Sequence, residues 1–451
     1  GGDDRIWLDP SSRRNRYGVP AAPAPDELWF SSSTASAIAP RGWAAAGVAL
    51  EQLTTPGRPC ISSHFDSLRQ RLLGLYGAPG AGAVLAASGT EAELVTLSLA
   101  LGLAGRPVSN IVIAPAETGS GVPAAAAGAH FLGRASLGGA VAQAQRLAGW
   151  EDAQVAVETI EIRSPRGALR APADVDQEAA IKVDRAVAAG AFGLLHVLDA
   201  SKTGHAGVSR SAAAQILARH PDRVLIVVDA CQLRCAAADI RRDLEQGFAV
   251  MLSGSKFAGG PAFCGALLLP AALVERLADA KPAGAALAPY SALLDWPAGL
   301  RRPFASGLRH AANLGLGLRW SAALAEIEAF EAIPAAWRAA MLDDFDRSVR
   351  AHVDADPGLR LADRGVQRGV PGLVPILHTD GADPRTVYGA LASGGPGRRP
   401  CHLGQPVAVG AALALRVCAS MPMIVDAAER GFAAVEAELD ELFETWARLR
   451  A

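Results

Sequence analysis

The chain has 451 residues and a formal net charge of −2, half of its residues hydrophobic and a fifth charged. That length allows a large core, and a balanced charge without a basic run argues against nucleic acid or an anionic membrane as the main partner. Six scattered cysteines without CxxC pairing, an N-terminus (GGDDRIWLDP) without an apolar signal core and no run of roughly 18 apolar residues lead us to expect a reduced, cytoplasmic, soluble protein without zinc.

Residues 1–40 read as an irregular arm rich in Pro, Ser and Gly. Near Asp66 a helix begins, with Leu68, Leu72 and Leu75 on one face until Gly77 stops it. AVLAASGT (83–90) reads as a short buried strand entering a turn, and a helix follows from Glu91 to about residue 103. Apolar, strand-like runs recur at 110–114, 154–160, 193–199, 224–230 and 248–252, separated by helix-like segments at 122–129, 138–147, 174–189 and 211–219. Alternation of fully apolar strands with helices predicts a parallel α/β sheet covered on both faces. A Pro/Gly-rich stretch at 281–303 breaks the pattern. Helices over 308–330 and 334–355, strands over 373–378 and 412–418 and a final helix over 425–450 complete it. The expected organisation is an arm (1–60), a large domain (61–303) and a smaller C-terminal α/β domain (304–451).

The chemistry concentrates at strand ends. VLIVVDACQ ends an apolar strand in Asp229, and the next apolar run ends in Ser253-Gly254-Ser255-Lys256. An acid and a lysine so placed suit pyridoxal phosphate (PLP), whose aldehyde a lysine holds as a Schiff base while an acid keeps the pyridine nitrogen protonated. Only four lysines occur (Lys182, Lys202, Lys256, Lys281), so Lys256 is not one of many surface lysines. Gln232, three residues after Asp229, is placed to donate to the cofactor's phenolic oxygen. Ser253 and Ser255 offer phosphate contacts. Ser88-Gly89-Thr90-Glu91, between a strand and a helix, is either a phosphate cradle at a helix start or a plain capping box.

The order SGTEAE, VDACQ, SGSK and GGP resembles the fold type I PLP-dependent enzymes, and within them the class V aminotransferase and cysteine desulfurase group. That group's DxxQ and SxxK signatures match Asp229/Gln232 and Ser253/Lys256. The resemblance implies the type I fold, with a mainly parallel sheet between helices in the large domain and a smaller C-terminal α/β domain. It also implies PLP as cofactor, an amino acid substrate and a homodimer with shared active sites. Residue by residue, it puts Ser88, Gly89 and Thr90 at the cofactor's phosphate. Thr118 stands where relatives stack a His or aromatic on the ring, and Asp199 and Ser201 fall near the phenolic oxygen and substrate. Arg416, in ALRVCAS, stands where relatives grip the substrate carboxylate. Arg309 and Asn313 fall where relatives reach the neighbouring subunit's phosphate, although the usual GT pair is absent, and Ser32 and Thr34 fall in an arm that covers the site.

Cys401, fifteen positions before Arg416, lies where some desulfurases carry their persulfide-forming cysteine. Flanking Arg398, Arg399 and His402 would lower its pKa. The functional expectation is an aminotransferase using Lys256. The alternatives are a C–S lyase or desulfurase-like enzyme using Cys401, and a non-catalytic protein of the same fold. Retention of Lys256, Asp229 and Arg416 together argues against the last.

Overall fold

The computed structural model describes residues 4–33, 36–55, 60–281, 283–363 and 369–450. In chain order its strands are β1 (Leu28–Phe30), β2 (Gly82–Ala86), β3 (Val108–Ile113), β4 (Val155–Ile160), β5 (Phe192–Leu198), β6 (Val224–Ala230), β7 (Ala249–Ser253), β8 (Gly265–Leu269), β9 (Leu359–Leu361), β10 (Leu373–His378), β11 (Cys401–Val409) and β12 (Ala412–Cys418). Seven form one sheet in the order β2-β8-β7-β6-β5-β3-β4. Pairing is parallel from β7 through β4, and β8 runs antiparallel to both β2 and β7.

The apolar runs explain this arrangement. β2, β3, β5 and β7 are buried at every position, as strands covered on both faces must be. The helix Gly89–Ala104 crosses the sheet against β2, β3, β5, β7 and β8, and it is apolar nearly all round because nearly every side is buried. The second sheet has the order β1-β11-β12-β10-β9. No helix among the described residues is long and apolar enough to cross a membrane.

Four expectations need correction. The helix over 138–147 is absent: the segment is irregular, held by isolated bridges Ala129–Arg146 and Arg134–Ala140, with Gly138 and Ala144 in the left-handed region. The arm is not wholly irregular, because β1 pairs in parallel with β11. A strand outside the expected set, the nine-residue β11, begins at Cys401. The last helix is two, Met421–Arg430 and Phe432–Arg450, parted at Gly431, whose φ of 84° a continuous helix cannot hold.

Candidate active site

A cavity of about 230 Å³ opens at the carboxyl ends of the central strands. It lies just under the roughly 300 Å³ lower end of small-molecule sites, so it suits one small organic ligand. Ser88, Gly89, Thr90, Thr118, Asp229, Gln232, Ser253, Ser255, Lys256 and Arg416 all line it, drawn from segments spread over more than 300 positions.

Each has a local reason for its position. Ser88 caps the helix Gly89–Ala104, its Oγ accepting from the N–H groups of Thr90 (3.2 Å) and Glu91 (3.3 Å) and donating to the Glu91 carboxylate. The Ser88 side-chain cap is therefore formed, and it lines the cavity as well. Gly89 cannot carry a side chain, since a Cβ there would sit 2.8 Å from the Cys231 sulfur. Asp229 ends β6 and accepts from the Cys231 N–H at 3.0 Å. Gln232 is buried, and its Oε1 has no partner among the described residues.

Lys256 follows β7 in a tight turn. Ser253 Oγ lies 2.8 Å from Ser255 Oγ, and Gly254 accepts from Gly260 N–H at 2.8 Å. A Cβ on Gly254 would meet Ala323 of the helix Leu314–Glu331 at 2.7 Å, so SGSK requires its glycine to bring the lysine turn against that helix.

Arg416 enters from β12. It is 2 % exposed; its Nε donates to the Gln405 carbonyl at 2.9 Å, and no carboxylate pairs with it among the described residues. Burial pushes its pKa down. Gly404 faces it across a β-bulge, and a Cβ there would come within 3.0 Å of Arg416.

Other expected residues lie elsewhere. Asp199 and Ser201 do not line the cavity. Asp199 accepts from Arg210 Nη2 at 2.8 Å, and Ser201 donates to Glu117 at 3.0 Å. Arg309 is exposed and outside the cavity; Asn313 caps the helix Leu314–Glu331 by accepting from Leu316 N–H. Ser32 lines the cavity from the arm, bonded to Arg234 at 2.8 Å; Thr34 lies outside the described residues.

Cys401 is a clear correction: it lies at the start of β11, fully buried, bonded to the Arg399 carbonyl at 3.4 Å and outside the cavity. Its thiol is pushed up to about 12 by burial and by Glu441. The charges thought to lower it are engaged, Arg399 with Glu441 at 2.5 Å and His402 with Glu27 at 2.7 Å. Cys231 does line the cavity, but burial and Asp229 raise its thiol well above the ordinary value.

Three features escaped the sequence reading. Glu93 and His196 line the cavity as a buried pair, with 3.2 Å between His196 Nε2 and Glu93, and Asn110 bonds both at 3.1 and 2.7 Å. Burial works against protonation of His196, yet Glu93 and Asp229 outweigh it and hold the imidazole above its ordinary value. Lys202 also lines the cavity, and burial, Arg416 and Lys256 lower its pKa to about 8. From the arm come Arg5, Arg16 and Tyr17. The scarcity of lysine that singled out Lys256 applied equally to Lys202; nothing comparable marked Glu93 or His196.

No family model matches the chain, and no curated protein is similar to it in sequence. Solved structures are similar in shape. A C-DES variant with glycine covalently linked to its PLP cofactor aligns with a TM-score of 0.60 at 14% identity, over 94% of this chain and 97% of that one. The cysteine desulfurase CsdA of Escherichia coli aligns with 0.58 at 13% identity, over 94% of each chain. The phosphoserine aminotransferase SerC of Cytophaga hutchinsonii aligns with 0.58 at 12% identity, over 93% of this chain and 99% of that one. The chain has the type I fold of PLP-dependent transferases. Ligands in open α/β sheets of this kind sit outside the carboxyl ends of the strands, where the cavity lies.

Proposed function

We propose that the chain is a PLP-dependent enzyme acting on an amino acid, an aminotransferase using Lys256. The observation that carries this reading is the convergence of Ser88, Asp229, Gln232, Lys256 and Arg416 on one cavity. The residues fit the cofactor: an acid for the ring nitrogen, an amide whose NH2 can donate to the phenolic oxygen, and serines beside a helix start for the phosphate. When bound, PLP supplies an electron sink for charge developing at the amino acid's α-carbon.

The chain's own residues supply the rest. Lys256 would hold the cofactor covalently, and its amine would then carry the α-proton. Arg416 would grip the α-carboxylate, since a buried guanidinium without a counter-charge is costly and its planar fork matches a carboxylate. Transamination needs no further nucleophile. A desulfurase route through Cys401 is disfavoured by that thiol's burial and raised pKa.

The purified chain should take up PLP and show a visible absorbance band. Lys256→Ala should abolish the covalent link between chain and cofactor and lower keto-acid formation by roughly 10²–10⁴-fold, the range for a positioned proton-transfer group. Borohydride should fix the cofactor covalently to the wild-type chain and not to Lys256→Ala, and a variant that is still labelled overturns the assignment.

A further inference from the structure

The cavity is lined by several cations. Its cations are Arg5, Arg16, Lys202, Lys256 and Arg416, against the carboxylates of Glu93 and Asp229. Glu93 is already engaged by His196 and Asn110. Lys256 is committed to the cofactor, Arg5 lies 4.7 Å from the Phe263 ring and Arg16 lies 5.3 Å from that of Tyr17. Lys202 is the cation left without a role.

Its ammonium has no acceptor or carboxylate partner among the described residues, while its backbone is firmly placed. Lys202 N–H donates to the Glu117 carbonyl at 2.8 Å. The flanking Ser201 and Thr203 hydroxyls both bond the Glu117 carboxylate, which is anchored by Arg163 at 2.6 Å. The turn is built to present this lysine.

The cofactor's phosphate does not account for it. Ser88 follows β2 and the Ser253–Ser255 turn follows β7, whereas Lys202 follows β5. At about 4.8 Å per strand, β5 lies roughly 10 Å from β7 and 19 Å from β2, on the other side of Asp229. Lys202 lines the same cavity as Arg416, and the like charges of Arg416 and Lys256 both act on it, with Glu117 opposing them only in part.

We propose that Lys202 and Arg416 form a two-anion clamp, so that the substrate is an amino acid or oxo acid whose side chain carries a second anionic group. This rests on reading the cavity as a PLP site for amino acids. Arg416 takes the α-carboxylate with its planar fork, and Lys202, a compact point charge on a flexible stem, takes the distal anion. Each cation, costly when buried alone, gains its counter-ion only when the substrate is bound.

The test is equilibrium binding of succinate and butyrate to the PLP-loaded full chain by titration calorimetry. These four-carbon acids differ by one carboxylate. Succinate should bind at least about tenfold tighter than butyrate. Lys202→Gln should erase that preference while leaving butyrate affinity within about threefold, and Lys202→Arg should restore part of it. Equal binding of the two acids by the wild-type chain overturns the clamp. So does a Lys202→Gln variant that keeps the succinate preference but shifts the cofactor's absorbance, which would assign the lysine to the cofactor. A wild-type chain that takes up no PLP sinks the cofactor reading instead, and the same two titrations on that protein still decide the clamp.

Discussion

A buried thiol and a buried guanidinium illustrate how burial decides what a side chain does. Cys401 and Arg416 are both almost fully enclosed. The thiol loses its anionic form to desolvation, while the guanidinium stays charged and so demands an anion. Cys401→Ala should therefore leave turnover within about threefold and cost about 1–2 kcal/mol from a slightly emptied core, read as a shift in urea midpoint. A loss of more than about thirtyfold in a folded variant would return the thiol to the chemistry. At this scale the sequence was most legible where a charge interrupted or ended an apolar strand, as Arg416 does within β12 and Asp229 and Lys256 do at the ends of β6 and β7. Cys401 was misread because the flanking charges were expected to prevail, whereas Arg399, though it pulls the thiol down, is paired with Glu441 and outweighed by it and by burial, and His402 turns to Glu27. Asp199 and Ser201 misled for a similar reason: the turn after β5 points Lys202 at the cavity and commits its neighbours to Arg210 and Glu117.

Among elements, the doubly covered strands were legible because burial on both faces leaves only apolar residues, and β6 and β10 coincide with the predicted spans. β1 and β11 were missed because their pairing joins residues more than 370 positions apart and their sequences carry Trp, His, Gly, Gln and Pro. The false helix at 138–147 followed Ala and Leu spacing, which did not prevail over a backbone that takes the left-handed region at Gly138 and Ala144. β11 matters for function through its bulge. The bulge sets Gly404 opposite Arg416 and lets Gln405 accept from its Nε. In Gly404→Ala the new methyl would lie 3.0–3.1 Å from Arg416 Cβ, Nε and Cζ, so the guanidinium must shift. Butyrate affinity should fall about tenfold, roughly 1.4 kcal/mol, with a stability loss of about 1–3 kcal/mol from overpacking. Unchanged butyrate binding would show that the glycine does not position this arginine.

Across the whole molecule, one buried ionic network ties the turns after β3, β4 and β5 to the segment after β9. Arg163 binds Glu117 at 2.6 Å and Asp363 at 2.7 and 2.9 Å, and His205 bonds Asp363 at 2.8 Å. The network holds the Thr118 and Lys202 turns, which follow the paired strands β3 and β5 and both line the cavity, in fixed relation. Removing the arginine strands two largely buried carboxylates, so Arg163→Met should destabilise by about 3–5 kcal/mol and weaken succinate binding through the loosened Lys202 turn. The effect should depend on pH in a defined direction. Burial pushes the Asp363 carboxyl up, but Arg163 and His205 overcome it and hold it well below the usual carboxylate range. A depressed carboxyl contributes stability that is present above its unfolded value and lost as pH falls through the folded one. The gap in urea midpoint between wild type and Arg163→Met should therefore be widest near neutrality and narrow as pH drops below about 4. A gap that stays constant from pH 7 to pH 3 would mean that the arginine stabilises the fold by packing alone.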